Sequence, residues 1–313
     1  MPGTCPLFSR LLAWNSSPKV KMELDQYELL DFGNGRKLGR IGGFVLDRPA
    51  PGTDDVKPTD PSLWATADAV FSRKKSQQGE WKSHHESIRW PKDWAVSCES
   101  VRFTLKPTDV GHIGLFPEQA RNWDWIGRQL QRASGQITSE TRVKVLNLFA
   151  YTGGSTLAAA AAGAEVVHVD SARNTVAWAK RNAASSGLDQ APIRWITEDA
   201  MKFVQRELKR QNDYHAVILD PPSYGHGPHA ETWKLDRDLH RLLQACGTLT
   251  EKQRCFFLLT CHSTGLGAAE VEAILADAVF GHCQSGVRAQ QLYLETSDGR
   301  RLPSGIVARW PQR

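Results

Sequence analysis

The chain has 313 residues, of which 41% are hydrophobic and 23% charged, a balance that excludes a disordered or low-complexity polymer. The formal net charge of +5 permits a polyanionic partner without requiring one, and the longest apolar stretch, Leu157 to Val169, is too short and too broken to span a bilayer, so no membrane is expected. The six cysteines (Cys5, Cys98, Cys246, Cys255, Cys261, Cys283) form no C-x-x-C pair, so no metal and no disulfide framework is expected, and a reducing cytoplasm is the simplest compartment.

Residues 1–22 carry Arg10, Lys19 and Lys21 without an acid before Glu23. They read as a disordered tail, with Met22 an alternative start; Arg10 beside the short apolar part suits a secretory signal poorly. Residues 23–110 read as a β-rich N-terminal domain. "YELLDF" and "RKLGRIGGFVL" flank Gly33-Asn34-Gly35, a hairpin turn signal. Pro49 to Pro61 is a loop. Ser72 to Lys92 is polar and basic around Trp81 and Trp90, and Val96 to Leu105 predicts one strand.

From Gly111 the pattern alternates. Pro117-Glu118 opens a helix with Trp123, Ile126 and Leu130 on one face. Apolar runs over 143–149, 164–170, 192–197, 215–220 and 255–261 predict strands separated by helical segments, and the first of them reads as buried on both faces. A hairpin around Asp298-Gly299 closes the chain. Residues 111–313 therefore predict an α/β Rossmann-like domain, a doubly wound, mostly parallel sheet with a C-terminal antiparallel hairpin.

Ligands of such sheets bind at the carboxyl ends of the strands. The first end is "NLFAYTGGS", where Gly153 and Gly154 allow a tight turn. The second ends in Asp170, suited to two ribose hydroxyls. The third is followed by Asp199-Ala200, suited to an adenine edge. The fourth ends in Asp220-Pro221-Pro222. A lone Asp there is usually a helix cap or a turn, but four ends in series are harder to dismiss. G-x-G-x-x-G and the P-loop pattern are both missing, which suggests ribose and adenine without a phosphate, as in S-adenosylmethionine (SAM).

"LNLFAYTGG", "VDSARNTVAWAKRN", "EDAMKFV" and "LDPPSYG" resemble the motifs of class I SAM-dependent methyltransferases. They are similar above all to the bacterial branch that holds the 23S rRNA cytosine-C5 methyltransferases and their uncharacterised relatives. The resemblance covers about 111–313 and implies a seven-stranded sheet. It also implies that Asn147, Phe149, Tyr151, Thr152 and Gly153 surround the methionine part of SAM. Asp170 and Ser171 would lie at the ribose, Asp199 and Ala200 at adenine, and Asp220 beside the cofactor. "LFPEQ" matches a cofactor-lining segment through Phe116, Glu118 and Gln119, but Ala120 stands where that pattern has arginine, with Arg121 one place late.

Two acceptor chemistries compete. An amino nitrogen needs acceptors such as the Asp220 carboxylate and the Pro221 and Pro222 carbonyls, with an aromatic to stack the base; here Ser223 precedes Tyr224, one place off the usual pattern. A pyrimidine C5 needs a thiolate. In "LTCHSTGL" Ser263 holds the family's cysteine position and Cys261 lies two places earlier, either a nucleophile or a small buried residue.

"GHGPHAETWKL", with His226, His229 and Trp233, reads as a lid or a plain loop. Arg73, Lys74, Lys75, Lys82, Arg89 and Lys92 interleave with Trp81 and Trp90, an RNA-contacting pattern or a solvated excursion. The expectation is an RNA-base methyltransferase acting on ribosomal or other RNA, with a homo-oligomer left open. The alternatives are a small-molecule or protein methyltransferase, or a non-catalytic SAM-binding module for RNA or another partner.

Overall fold

The computed structural model describes residues 27–74, 78–83, 89–135, 142–227, 231–263, 265–282 and 286–312. Strands β1 (Tyr27–Gly33), β2 (Arg36–Ile41) and β3 (Phe44–Pro49) precede a short helix α1 (Pro61–Trp64), then β4 (Ala69–Arg73) and β5 (Gly79–Lys82). They form a five-stranded sheet in sequential order. Asn34 (φ 51°) and Gly35 (φ 71°) make the tight turn between β1 and β2, as the Gly-Asn-Gly signal predicts.

Strands β6 (Ala95–Cys98) and β7 (Val101–Thr104) pair as a hairpin. One strand was expected here; Glu99, in the left-handed region at φ 51°, reverses the chain instead. β4 and β5 were not expected either: β5 is polar, and in the short β4 only Ala69 and Phe71, on one face, are buried.

The second half follows as α2 (Ala120–Ser134), β8 (Lys144–Leu148), α3 (Gly154–Ala161), β9 (Glu165–Asp170), α4 (Arg173–Ser185), β10 (Ile193–Thr197), α5 (Ala200–Lys209) and β11 (Ala216–Leu219). A ribbon, β12 (Tyr224–His226) with β13 (Thr232–Lys234), occupies part of the expected lid. Then come α6 (Leu235–Thr250), β14 (Phe256–Cys261), α7 (Ala268–Phe280), β15 (Arg288–Glu295) and β16 (Arg301–Trp310).

The seven-stranded sheet has the order β10-β9-β8-β11-β14-β16-β15, and β16 runs antiparallel to β14 and β15. All residues of β11 and β14 are buried, which explains their continuous apolar runs. The order reverses between β8 and β11, which places the ligand crevice at their carboxyl ends.

One buried cluster joins both halves: Ile41 and Leu46 from the first sheet meet Trp94, Trp123, Val145 and Leu157. Among the described residues no helix is long and apolar enough to cross a membrane, and no cluster of three metal-ligating side chains occurs.

Candidate active site

The turn after β8 is built on unusual backbone. Phe149 (φ 54°), Tyr151 (φ 49°) and Gly153 (φ 92°) all lie in the left-handed region, which is costly for the two aromatics and marks a locally determined loop. A Cβ on Gly154 would lie 2.5 Å from Cζ2 of Trp123, so this position needs glycine for close approach. Buried bonds brace the turn from beneath. Asn147 Nδ2 donates to Thr156 Oγ1 at 2.8 Å, and Thr152 Oγ1 donates to the Gly114 carbonyl at 2.7 Å.

Asp170, at the end of β9, accepts the backbone N–H of Tyr151 and of Ala172, both at 2.9 Å. It thereby ties the β8 turn to the β9 turn. Burial pushes its carboxyl pKa up, against the pull of those two donors. Asp199 caps α5 by accepting from Lys202 N at 2.9 Å.

Two cavities meet at Phe149. One is lined by Asp170, Ser171, Glu198, Asp199, Ala200 and Pro222 among others. The second is lined by Phe116, Gln119, Asn147, Tyr151, Thr152 and Asp220 among others. No Lys or Arg lines either cavity. An acid-lined, cation-free cleft suits a positively charged, phosphate-free nucleoside such as SAM, and suits a pyrophosphate poorly. Glu118 instead lines a third, open groove with Tyr27.

Asp220 follows β11 and is held from several sides. Thr260 Oγ1 donates to Oδ1, Gln119 Nε2 donates to Oδ2 at 3.2 Å, and His262 Nε2 lies 3.2 Å from Oδ1. Burial works to raise the Asp220 pKa, but the His262 charge and the hydrogen bonds outweigh it and hold the carboxyl below its usual range. Burial lowers His262, yet Asp220 raises it to about 9, so the ring is protonated at neutral pH.

His262 was not singled out from the sequence, although it lies between the two residues weighed there. Strand alternation was the available signal: Thr260 and His262 share one face and Cys261 takes the other. Cys261 is only 1% exposed, and burial pushes its thiol pKa up. The structure therefore does not bring this thiol to the cleft as a ready thiolate. His112, also unflagged, stands 5.1 Å from the Phe116 ring and 6.5 Å from that of Tyr151.

The proline segment differs in detail from expectation. The Pro222 carbonyl accepts Trp233 Nε1 at 2.7 Å, and the Ser223 carbonyl accepts Leu235 N at 3.1 Å, so both are engaged by β13 and the start of α6. Trp233 also packs on Phe149, with ring centroids 4.9 Å apart. Tyr224 sits on the β12 ribbon and is 51% exposed.

The two tryptophans of the basic segment are likewise committed to the fold. Trp81 and Trp90 pack against each other and against Phe71, Phe44 and Trp94. Lys74 and Lys82 both pair with Glu80, at 2.8 and 2.9 Å. Lys75 and His229 lie outside the described residues.

A sheet of this order, with an acid-lined cleft at its switch point, defines a class I SAM-dependent methyltransferase. Residues 69–256 match the family model for S-adenosylmethionine-dependent methyltransferases, and the chain belongs to that family. Its cofactor is SAM.

The crystal structure of the SAM-dependent methyltransferase from Agrobacterium tumefaciens is 34% identical, covers 93% of this chain and 92% of that one, and superposes with a TM-score of 0.83. A methyltransferase complexed with SAH shares the fold at 16% identity and a TM-score of 0.67, over 91% of this chain and 75% of its own. Among curated proteins, the ribosomal RNA large subunit methyltransferase K/L of Pseudoalteromonas atlantica is 31% identical over 184 residues, 57% of this chain and 24% of that protein. The protein of the same name from Hahella chejuensis is 24% identical over 258 residues, 77% of this chain and 34% of its own. The chain thus spans about a quarter to a third of the length of these relatives.

Proposed function

We propose that this enzyme methylates a base of ribosomal or other RNA, by direct transfer to a nitrogen held at Asp220. The observation that carries the reading is the Asp220 carboxylate, kept ionised by His262 and Thr260 at the edge of the cofactor cleft. The distant relation to ribosomal RNA methyltransferases supports RNA as the acceptor.

In this reading Asp170 and Ser171 hold the ribose, Asp199 and Ala200 border adenine, and Phe149 packs beside the nucleoside. Phe116, Gln119, Asn147, Tyr151, Thr152 and Gly153 shape the methionine end. SAM supplies a methyl that is already activated, so the protein's task is alignment and proton control. Asp220 would accept a hydrogen bond from the acceptor nitrogen; as that nitrogen's lone pair took the methyl, the bond from methyl to sulfur would break to leave S-adenosylhomocysteine, and the surplus proton on nitrogen would pass to Asp220 and on to water. The Pro221 carbonyl and Tyr224 border the acceptor. The buried, pKa-raised Cys261 speaks for direct transfer over the thiolate route to C5.

The test is incubation with labelled SAM and RNA from cells lacking the gene, followed by mapping of the label. Labelled RNA base is the expected result, with Asp220→Ala slower by about 10²–10⁴-fold. Label on protein or on a metabolite instead of RNA rejects the reading.

A further inference from the structure

The N-terminal sheet carries two cations that methyl transfer as described does not use. Lys37 of β2 and Arg48 of β3 are direct cross-strand partners. They share the sheet face of Ile41 and Leu46, which enters the core common to both halves. Like charges in direct register repel, so such a pair on an inward face calls for a reason.

Arg48 is 6% exposed and its Nε has no hydrogen-bond partner, while Glu118, also 6% exposed, has an unpartnered Oε2, and the buried Tyr27 hydroxyl is likewise unpartnered. Unmade buried polar bonds are costly, and so many in one place mark a ligand subsite more readily than a packing feature. The surroundings agree. Burial, with a smaller push from Arg48, brings Lys37 down to about 8 although Glu118 opposes the shift. Burial, followed by the charges of Arg48, Lys37 and Arg73, brings His112 to about 4. Two cations thus face one carboxylate, with neutral phenol and imidazole around them.

The cluster stands beside the cleft: Arg48 is within electrostatic reach of Tyr151. Lys37 and Arg48 line neither of the two cavities nor the open groove. Tyr27 and Glu118 do line that groove, of about 650 Å³, between β1, the turn at Pro117 and the β15–β16 hairpin. Lys37 and Glu118 are both within electrostatic reach of His262, the partner of Asp220.

We propose that Lys37 and Arg48, backed by Tyr27 and Glu118, form an anion-holding acceptor subsite that takes a phosphate oxygen of the RNA nucleotide presented to Asp220. The guanidinium offers fixed donors to such an oxygen and the ammonium a mobile charge. The nucleotide identity rests on the RNA reading; the anion site does not. The N-terminal sheet is then the half of the active site that selects the acceptor.

The test uses thermal unfolding of the full chain, saturated with S-adenosylhomocysteine, against inorganic phosphate at constant ionic strength. Phosphate raises the Tm of the wild type by about 2–5 °C, and the rise is lost in Lys37→Met and Arg48→Met. Lys37→Met, freed of the cost of burying a charge, melts no lower than wild type without phosphate, which shows that it folds. With RNA and labelled SAM, Lys37→Met raises the acceptor KM about tenfold or more while S-adenosylhomocysteine affinity stays within about twofold. Equal phosphate stabilisation of variants and wild type, or none in either, overturns the proposal. Stabilisation that vanishes once S-adenosylhomocysteine is bound also overturns it, since the pair would then serve the cofactor carboxylate. No label in RNA together with the expected phosphate response sinks the RNA reading and leaves the anion site standing.

Discussion

Asp170 illustrates how a single side chain can serve fold and ligand together. Its two oxygens fix the turns after β8 and β9 through Tyr151 N and Ala172 N, and the same carboxylate lines the cleft. Asp170→Ala is expected to weaken S-adenosylhomocysteine by about 10- to 150-fold, the worth of one charge-assisted hydrogen bond, measured by calorimetry. An unchanged affinity would remove Asp170 from the cofactor site. The Asp220–His262 pair makes a different demand, on pH. His262 titrates near 9 in the fold against an ordinary 6.5, so its stabilisation is complete below about 6.5 and is lost as pH rises through 9. Asp220 is shifted downward, so its share is present above its ordinary value and is lost as pH falls through the folded one. Melting curves between pH 6 and pH 10 should therefore show wild type losing its advantage over His262→Gln toward the alkaline end. The same variant should shift the acid limb of kcat/KM upward, because Asp220 loses the cation that keeps it ionised. Parallel melting curves and an unmoved acid limb would refute this role.

Among the elements, Gly154 is the sharpest test of how the β8 turn enters α3. Any Cβ there meets the Trp123 indole, which is itself stacked on Phe103 at 5.0 Å and has little room to yield. Gly154→Ala should cost about 1–3 kcal/mol and weaken S-adenosylhomocysteine binding, while Gly135→Ala, with 3.6 Å to its nearest neighbour, should be close to neutral. Comparable Tm values for both variants would count against the close approach. The glycines of this turn were legible in the sequence, as were the five parallel strands: β8, β11 and β14 are covered on both faces and so are apolar nearly throughout, whereas the edge strand β10, with no buried residue, showed only its short apolar run. The Asn34-Gly35 turn was legible for its φ demand. The β6–β7 hairpin was not, since Glu99 at φ 51° has no turn-former signature. Nor were β4 and β5, whose polar residues reflect an exposed face. In the site, the acids at strand ends announced themselves by position. The cluster of Lys37, Arg48 and Tyr27 with Glu118 did not, because Glu118 meets the first three strands only in the folded chain.

At the scale of the whole molecule, the N-terminal sheet must be held firmly for its face to shape a site on the other half. Asp31 of β1 does this from a fully buried position. It accepts Trp64 Nε1 at 2.9 Å, Thr59 N at 3.1 Å, Asp60 N at 3.2 Å and Arg300 Nη2 at 2.8 Å. Arg300 belongs to the turn between β15 and β16 and also stacks on Phe32, with its guanidinium 5.0 Å from the ring centroid. A small core of Leu29, Phe32, Ala50, Leu294 and Leu302 and a bridge from Leu29 to Thr296 join the same two edges. The first strand and the last hairpin are thus closed on each other beside the Tyr27–Glu118 groove. Asp31→Ala leaves several donors and the Arg300 charge without their acceptor, and is expected to cost about 3 kcal/mol or more. Burial tends to raise the Asp31 pKa, but the bonds from Trp64, Arg300, Thr59 and Asp60 prevail and lower it. Its contribution is therefore present above pH 3.8, the ordinary value, and is lost as pH falls through the folded one. Denaturant unfolding from pH 7 down to pH 3 should show the wild-type advantage over Asp31→Ala shrinking only at the acid end. An advantage that is small at pH 7, or that does not shrink with acid, would mean that the apolar contacts alone hold the two edges together.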